Sequence, residues 1–503
     1  MEKIEIKEKD IDAIYIHIPF CNKKCEYCDF CTFVRMEKEY RRYVDYLIKE
    51  IRMYPKLKYD TIYFGGGTPS LLPVGMIKEI MGELDWTGNA EITLELNPTD
   101  MTLEKLKEIR KIGINRLSIG IQSFQNHVLK FIGRQHSSDD AVNVYKMARE
   151  AGFENITVDL MFGIPNQSIE DLQKDLEILK KLKPENVSIY SLIWEEGTVF
   201  WSKLQKGILS EIDQDVEAQM YEMIIDFFNE NGYCHYEISN FARIDGNFEG
   251  NRSINENFNL KKKIDFQHFS EIKNSEEIFK NNAEALKKND GIYNFCLKNK
   301  TSENEMLESK NFKSQKLENK FLENIEDFEM IEKRQKNGGR HNLKYWRNKK
   351  FIGVGMSAAA YYGENRHSNV RTFNKYYKFL DSEKLPIDEN TVEIVDEIES
   401  EKLSRMLGLR LIQEGIGYFE DKKVEKLIKN GLLEKFAVKK VDFSEKKFEK
   451  IEKFIAAKEK EIKNKVKNNE YFDGKIAGNA YEIRLRLTKK GMLLANDVFV
   501  EFI

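Results

Sequence analysis

The sequence lacks the features that would assign it at once to the membrane, nucleic-acid-binding or disulfide-rich proteins. It has no run of 18 apolar residues, and its first apolar stretch is broken by His17 and Pro19, so we expect neither a membrane span nor an export signal. It has no basic surplus, because 81 Lys and Arg stand against 84 Asp and Glu, and nucleic acid is not an expected partner. Its six cysteines include four within eleven residues, which a disulfide scaffold would spread out. These absences predict a cytoplasmic protein with metal chemistry at the cysteines.

The apolar content predicts a large core, and the order of apolar segments predicts an α/β fold. The 503 residues, 41% of them hydrophobic, are enough for one large core and at least one smaller one. From residue 13 to about 230, short β-branched runs alternate with longer amphipathic stretches, which predicts βα units around a parallel sheet. The predicted strands are 13–18, 60–65, 90–96, 116–121, 155–162 and 185–192. Because six right-handed crossovers bend a sheet toward a barrel, the predicted fold class is α/β, an incomplete (β/α)6 TIM-like barrel with a smaller C-terminal α/β domain. A doubly wound sheet is the alternative.

Changes in composition predict four segments along the chain. They are the partial barrel over 1–243, a polar insertion rich in Asn, Lys and Glu over 244–338, a connecting segment over 339–390, and the C-terminal domain over 391–503 with a charged interruption at about 438–478. No stable apolar period runs through the insertion, so we expect it to be solvated, partly helical and partly disordered.

The cysteine cluster directly follows the first predicted strand, in HIPFCNKKCEYCDFC. The spacing Cys21-x3-Cys25-x2-Cys28 puts three thiolates on one tight loop, which suits three corners of a cubane iron–sulfur cluster and leaves its fourth iron open. A closed zinc site that includes Cys31 is the alternative. Structural zinc more often uses two separated CxxC pairs, so the spacing favours the cluster, and we expect Cys31 to be a buried free thiol.

The motif CxxxCxxC after the first strand, with YFGGGTPS after the second, resembles the radical S-adenosylmethionine (SAM) superfamily. Within it the chain resembles the branch that contains the oxygen-independent coproporphyrinogen III oxidases and the heme chaperones, over residues 13–243, 339–371 and parts of the C-terminal domain. The resemblance implies a [4Fe–4S] cluster on Cys21, Cys25 and Cys28, with SAM chelating the fourth iron. It also implies that a reduced cluster cleaves SAM to a 5′-deoxyadenosyl radical.

The resemblance also implies a set of SAM-binding residues. They are Gly66, Gly67 and Thr68 for the methionine end, Glu95, Gln122 and Asp159 for the amino group and ribose, Arg134 for the carboxylate, and the neighbouring aromatic residues Tyr15 and Tyr27. Independently of the family, Glu95, Gln122 and Asp159 fall near the C-terminal ends of predicted strands, where α/β proteins bind ligands. Each polar residue alone could equally be a helix cap or a surface charge, and either tyrosine could be a core residue.

Three positions bear on the choice between chaperone and oxidase. The oxidases carry a further cysteine where this chain has Phe30, as the chaperones do. The string from His341 to Trp346, HNLKYW, resembles the HNxxYW motif of the chaperones, whose histidine is implicated in heme binding, although a core histidine is the alternative. Ala359 stands where relatives usually carry a histidine.

The function implied is that of a heme chaperone that binds the cluster, SAM and heme and passes heme to apoproteins, with an electron donor for the cluster as a further partner. Peripheral contact with a membrane stays open. Coproporphyrinogen III oxidase, an oxidoreductase that decarboxylates two propionates of its substrate, is the second hypothesis. A zinc-stabilised interaction protein without radical chemistry is the third.

Overall fold

The computed structural model describes residues 11–245, 325–439 and 481–502. Its largest element is a nine-stranded sheet whose centre is six parallel strands in chain order. These strands are β1 (Ala13–Ile18), β2 (Lys58–Gly66), β3 (Asp85–Leu96), β4 (Arg116–Gln122), β5 (Asn155–Phe162) and β6 (Asn186–Ser191). The predicted α/β class with a parallel central sheet is confirmed.

Short strands extend this sheet at both edges. The strand Ile352–Val354 pairs in parallel with β1. An antiparallel hairpin of Tyr233–Glu237 and Asn240–Arg243 pairs with β6. None of these strands is predicted from the sequence, and the first of them brings a segment from beyond residue 338 against the strand that precedes the cysteines.

Helices connect the parallel strands. In the first part of the chain they are Tyr40–Met53, Val74–Met81, Leu103–Lys111, Asn126–Phe131, Ser138–Glu150, Ile169–Leu182, Val199–Gln205 and Gln214–Glu230. Two begin with complete capping boxes, in which Ser137 and Ser168 each bond the backbone three residues on. Within the described residues no helix is both long and apolar enough to cross a membrane.

The two faces of the central sheet differ in polarity. In β3 the alternate residues Ile92, Leu94 and Leu96 are buried apolar side chains. The alternating residues Glu91, Thr93 and Glu95 are polar, and because strand side chains alternate they lie on the opposite face. The corresponding residues of β4 and β5 are also polar, and we call this side the polar face. Barrel interiors are usually filled with branched apolar side chains, so a polar face indicates a ligand site.

The later residues form two smaller sheets. One has the strand order Ile325–Asp327, Leu433–Lys439, Tyr481–Leu487 and Ile416–Gly417, and the other Ala359–Tyr362, Asn365–Ser368 and Glu393–Ile394. The helices here are Phe328–Gln335, Arg340–Trp346, Phe373–Asp381, Glu397–Gly408, Lys422–Lys429, Lys489–Leu493 and Ala495–Val500.

Part of the predicted insertion belongs to this region. Residues 325–338 contain a strand and a helix, and Ile331 from that helix packs with Phe436 and Val438. The remainder of the insertion, from residue 246, and most of the charged interruption lie outside the described residues. The predicted domain boundaries stay predictions.

Candidate functional site

The three predicted cluster ligands lie on the loop that follows β1. Cys21 Sγ is 3.5 Å from Thr68 Oγ1, and Arg134 Nη1 donates to Cys25 Sγ at 3.6 Å. All three cysteines are partly buried. Cys31 differs, because it is buried and its thiol donates to the backbone carbonyl of Arg371 at 3.4 Å. The loop therefore brings Cys21 and Cys25 against residues of the predicted SAM site, whereas the thiol of Cys31 bonds the backbone of Arg371.

The three cysteines supply the donor type that a cubane cluster takes. In the parts of the chain that the structure describes, no three His, Cys, Asp or Glu side chains converge closely enough to hold one metal ion. A cubane cluster carries each thiolate on a different iron, so its ligands need not converge on one point. Burial raises the pKa of the Cys28 thiol to about 11, and burial also raises the pKa of the Cys21 thiol, so a cationic cluster would have to stabilise the thiolates.

The glycine-rich segment lies directly against the base of this loop. Gly67 N–H donates to the Ile18 carbonyl at 2.8 Å, and Thr68 N–H donates to the Phe20 carbonyl at 2.7 Å. A Cβ on Gly67 would be 2.5 Å from the Phe20 oxygen, and Gly66 has a φ of 110°. Glycine is required here because the backbone must approach the loop this closely.

His17, which the sequence did not single out, connects the loop to β1. Its Nε2 lies 3.0 Å from the Cys31 carbonyl, and its Nδ1 lies 3.1 Å from the Tyr15 hydroxyl. Burial lowers the His17 pKa to about 4, so the ring is neutral. Because a carbonyl can only accept, Nε2 carries the proton and Nδ1 accepts from Tyr15. The sequence feature that could have identified His17 is its position in HIPFC, directly before the cysteine cluster.

Two carboxyl groups occupy the polar face beside the glycines. Glu95 accepts from the Tyr63 hydroxyl at 2.7 Å and from Gly66 N–H at 3.2 Å. Asp159 accepts from Ser118 Oγ at 2.9 Å. Burial raises the pKa of both groups, and the charge of Glu95 helps to raise that of Asp159 to about 7. The site can thus offer two hydrogen-bond acceptors whose charge depends on their surroundings.

A chain of hydrogen bonds links Arg134 to the glycine-rich segment. Arg134 Nη2 donates to Asn97 Oδ1 at 2.6 Å and to the Gly120 carbonyl, and Asn97 Nδ2 donates to Thr68 Oγ1 at 2.7 Å. Sequence reasoning missed Asn97, although it lies two residues after Glu95 on the same face of the chain. Arg134 therefore contacts both the cysteine loop and the carboxyl end of the sheet.

The remaining predicted SAM residues surround the same end of the sheet. Gln122 ends β4 with a φ of 70°, and its Oε1 accepts from the Tyr190 hydroxyl at 2.9 Å. Tyr15 stacks on Tyr63 with ring centroids 6.1 Å apart. Tyr27, on the cysteine loop, has its ring edge-on to Phe200 at 6.4 Å. The structure brings the predicted cluster and SAM residues together, and their contacts to ligands stay predictions.

His341 lies one side chain away from these residues, toward the N-terminal ends of the strands. It is 1% exposed in the helix Arg340–Trp346, with Nδ1 2.8 Å from Thr61 Oγ1 and Nε2 2.7 Å from the Tyr345 hydroxyl. Its ring stacks on Tyr63 at 5.2 Å, and burial lowers its pKa to about 3. Both ring nitrogens therefore have protein partners. Ala359 begins the strand Ala359–Tyr362 with an exposed side chain.

Residues 15–179 match the model of the radical SAM superfamily. The heme chaperone HemW of Lactococcus lactis subsp. lactis (strain IL1403) is 39% identical over 235 residues, 46% of this chain and 62% of that protein. The heme chaperone HemW of Bacillus subtilis (strain 168) is 40% identical over 242 residues, 46% of this chain and 63% of that protein. The chain thus spans less than two thirds of the length of these relatives.

A solved structure resembles nearly the whole chain. The coproporphyrinogen III oxidase HemN from Escherichia coli, a radical SAM enzyme, matches with a TM-score of 0.63 and 19% sequence identity, covering 98% of this chain and 91% of that one. At this identity the likeness shows the fold. The structure therefore has the α/β fold of that enzyme.

Proposed function

We propose that this chain, in which residues 15–179 match the radical SAM superfamily, is a heme chaperone that holds a [4Fe–4S] cluster, SAM and heme and delivers heme to apoproteins. The main support for the proposal is that the cysteine loop contacts both the glycine-rich segment and Arg134 at one end of the sheet. Cys21 lies against Thr68, and Arg134 donates to Cys25. The names of the similar chaperones support the heme part of the proposal.

The residues present fit a cluster with one open iron and a SAM molecule beside it. Cys21, Cys25 and Cys28 would hold the cluster, and when bound it supplies one-electron reduction of SAM. Glu95 and Asp159 would accept hydrogen bonds from the amino group and ribose of SAM, as carboxylates do. Gly66 and Gly67 let the backbone pack against His17 and the Phe20 carbonyl, which holds this segment beside the cysteine loop, where the methionine end of SAM would lie.

Arg134 would pair with the SAM carboxylate, because its guanidinium already donates to Cys25 Sγ on the cysteine loop. Gln122, Thr68, Tyr15 and Tyr27 would line the rest of the SAM site. The side chains of Asn97 and Tyr63 orient Arg134 and Glu95, so the site is held by hydrogen bonds before a ligand enters.

Heme ligation by His341 needs a rearrangement. A heme iron bound at Nε2 would have to replace the Tyr345 hydroxyl, and the 1% exposed ring would have to become accessible. The proposal therefore includes movement of the helix Arg340–Trp346 away from Thr61 when heme binds. Before this movement the buried ring is neutral, because burial lowers its pKa to about 3, and a neutral imidazole is the form that binds iron.

Anaerobic reconstitution with iron and sulfide tests the cluster and SAM. We expect a brown protein whose reduced form gives a paramagnetic resonance signal that changes when SAM is added. A colourless protein that holds one zinc ion would contradict the proposal and support the zinc-stabilised interaction protein.

Measuring heme binding and transfer distinguishes the chaperone function from the oxidase function. We expect the reconstituted chain to bind heme and to transfer it to an apo-hemoprotein, and we expect His341→Ala to lower heme affinity at least tenfold. The matched variant Thr61→Val removes the other partner of His341 and keeps the imidazole, so heme binding should survive it. Decarboxylation of coproporphyrinogen III in the absence of heme transfer would favour the oxidase.

The proposed partners are heme, apoproteins that accept it and an electron donor for the cluster. A cluster with free cysteines nearby needs a reducing compartment, and we place the protein in the cytoplasm on that ground.

A further inference from the structure

A buried arginine lies beneath the carboxyl groups of Glu95 and Asp159. Arg116 is the first residue of β4 and is 2% exposed. Its Nη1 donates to Thr93 Oγ1 at 3.3 Å, and its Nη2 donates to Thr157 Oγ1. The guanidinium is therefore held on the polar face between β3 and β5.

The two threonines fix its distance from the carboxyl groups. Thr93 lies two residues before Glu95 on β3, on the same face of that strand. Thr157 has the same relation to Asp159 on β5. A two-residue step along a strand is about 6.6 Å, so the guanidinium lies roughly that far below both carboxyl groups.

The charge of Arg116 acts in a site of mixed polarity. Among the described residues, the ionisable groups facing Glu95 or Asp159, besides each other, are Tyr15, Tyr63, Tyr190, Tyr345, Arg116 and Arg134. The tyrosines are neutral at pH 7, because burial raises the pKa of each of them. The charge of Arg116 lowers the pKa of both carboxyl groups, and that of Arg134 lowers the pKa of Asp159.

Arg116 also faces the helix that carries His341. Its Nε lies 3.9 Å from Glu91 Oε2. Glu91 in turn accepts from the backbone N–H of Arg340 at 3.2 Å and of His341 at 3.1 Å. Because Glu91 shares its charge with the first turn of this helix, it neutralises Arg116 only in part.

We propose that Arg116 is a positioning residue that keeps Glu95 and Asp159 negatively charged for SAM, acting from beneath the site without touching the ligand. The inference rests on the proposed SAM site at these two carboxyl groups. A carboxylate can accept hydrogen bonds from an ammonium group and from ribose hydroxyls, whereas a protonated carboxyl loses part of that capacity. With the Asp159 pKa at about 7, the charge that Arg116 supplies matters at neutral pH.

The test is the pH dependence of SAM binding to the cluster-loaded protein. Equilibrium dialysis with labelled SAM measures the dissociation constant between pH 6 and 9. Removing a charge at this distance in Arg116→Met should raise the pH midpoint of binding by about one unit. Affinity for SAM should then fall about fivefold at pH 7 and approach that of the wild type at pH 9. Arg116→Lys keeps the charge and should keep the midpoint.

Two further variants separate charge from structure. Arg149→Met removes an arginine that pairs with Glu185 at 2.7 Å outside the site, and the midpoint should not move. Thr157→Val releases one side of the Arg116 guanidinium with little change of volume, and should raise the midpoint by a smaller amount. This variant serves as the test if Arg116→Met does not fold.

Weaker binding at every pH, with an unchanged midpoint in Arg116→Met and Thr157→Val, would overturn the proposal, since a structural role alone gives that result. A wild-type protein that carries its cluster and binds no SAM at any pH would overturn the proposed function and this inference with it. A midpoint that rises only when the charge of Arg116 is lost or displaced supports both.

Discussion

A buried carboxyl group on the first helix makes the stability of this fold depend on pH. Glu50 is fully buried and accepts hydrogen bonds from Gly355 N–H at 2.8 Å, Asn369 Nδ2 at 2.7 Å and the Tyr376 hydroxyl at 2.5 Å. Burial outweighs these bonds and raises the Glu50 pKa to about 7. The bonds join the helix that follows the cysteine loop to residues of the chain after position 352.

The sign and size of the effect follow from proton linkage. The ordinary pKa of a glutamate is 4.5, so the native state keeps a proton that the unfolded chain releases between pH 4.5 and 7. The free energy of unfolding therefore falls as the pH rises through this window and changes little outside it. The whole loss from this group is about 3 kcal/mol, of which about 2.5 kcal/mol falls between pH 5 and 8.

The assay compares urea unfolding of cluster-free wild type and Glu50→Gln at half-unit steps from pH 5 to 8. The other titrating groups contribute equally to both proteins and cancel when their free energies of unfolding are subtracted. The free energy of unfolding of Glu50→Gln should therefore rise by about 2 to 3 kcal/mol relative to that of the wild type from pH 5 to 8. Tyr376→Phe removes a donor that lowers the Glu50 pKa, so its loss of stability with rising pH should be larger than that of the wild type. A difference between wild type and Glu50→Gln that is constant from pH 5 to 8 would refute the reasoning.

Two further predictions concern the cysteine loop and the segment behind it. Cys25→Ser should abolish the cluster, whereas Cys31→Ser should retain it because its thiol bonds the Arg371 carbonyl; iron and sulfide analysis after reconstitution measures both, and cluster loss in Cys31→Ser would contradict the assignment. Gly67→Ala should lower SAM affinity at least tenfold, since its Cβ would be 2.5 Å from the Phe20 oxygen and must displace the segment; wild-type affinity in a SAM titration would count against this reading of the site.

The parallel core of the sheet could be predicted from the sequence because its signals are local. The observed bounds of β1 and β5 equal the predicted ones, since each strand is rich in β-branched and other apolar residues and lies beside a helical pattern. The strand Ile352–Val354 could not be predicted, because it is three residues long and pairs with β1 across more than 330 positions. The hairpin after residue 232 was missed because its strands are short and contain a register shift at Asn240.

The residues of the candidate site also fall into those that the sequence predicted and those that it did not. Residues that follow the strands were predictable by their motifs and by their place at the strand ends. Arg116 was missed because a charged residue at the start of a strand usually lies at the surface, and only its contacts with Thr93 and Thr157 show that it is inside. The alternation of Glu91, Thr93 and Glu95 in a strand covered on its other face was a signal that the sequence did contain.

The separation of the two ends of the sheet bears on the proposed function. Thr61, which bonds His341, and Gly66, which lies at the cysteine loop, are five residues apart on β2, about 16 Å along an extended strand. On the proposed function, a heme held by His341 would therefore lie nearer the N-terminal ends of the strands than the cluster does. An oxidase needs the opposite arrangement, because the propionates must come within contact of the adenosyl group beside the cluster. The position at which a tetrapyrrole binds therefore decides between the two functions, and the contact of His341 with Tyr63, which bonds Glu95, gives a heme at the remote end a physical route to influence the SAM site.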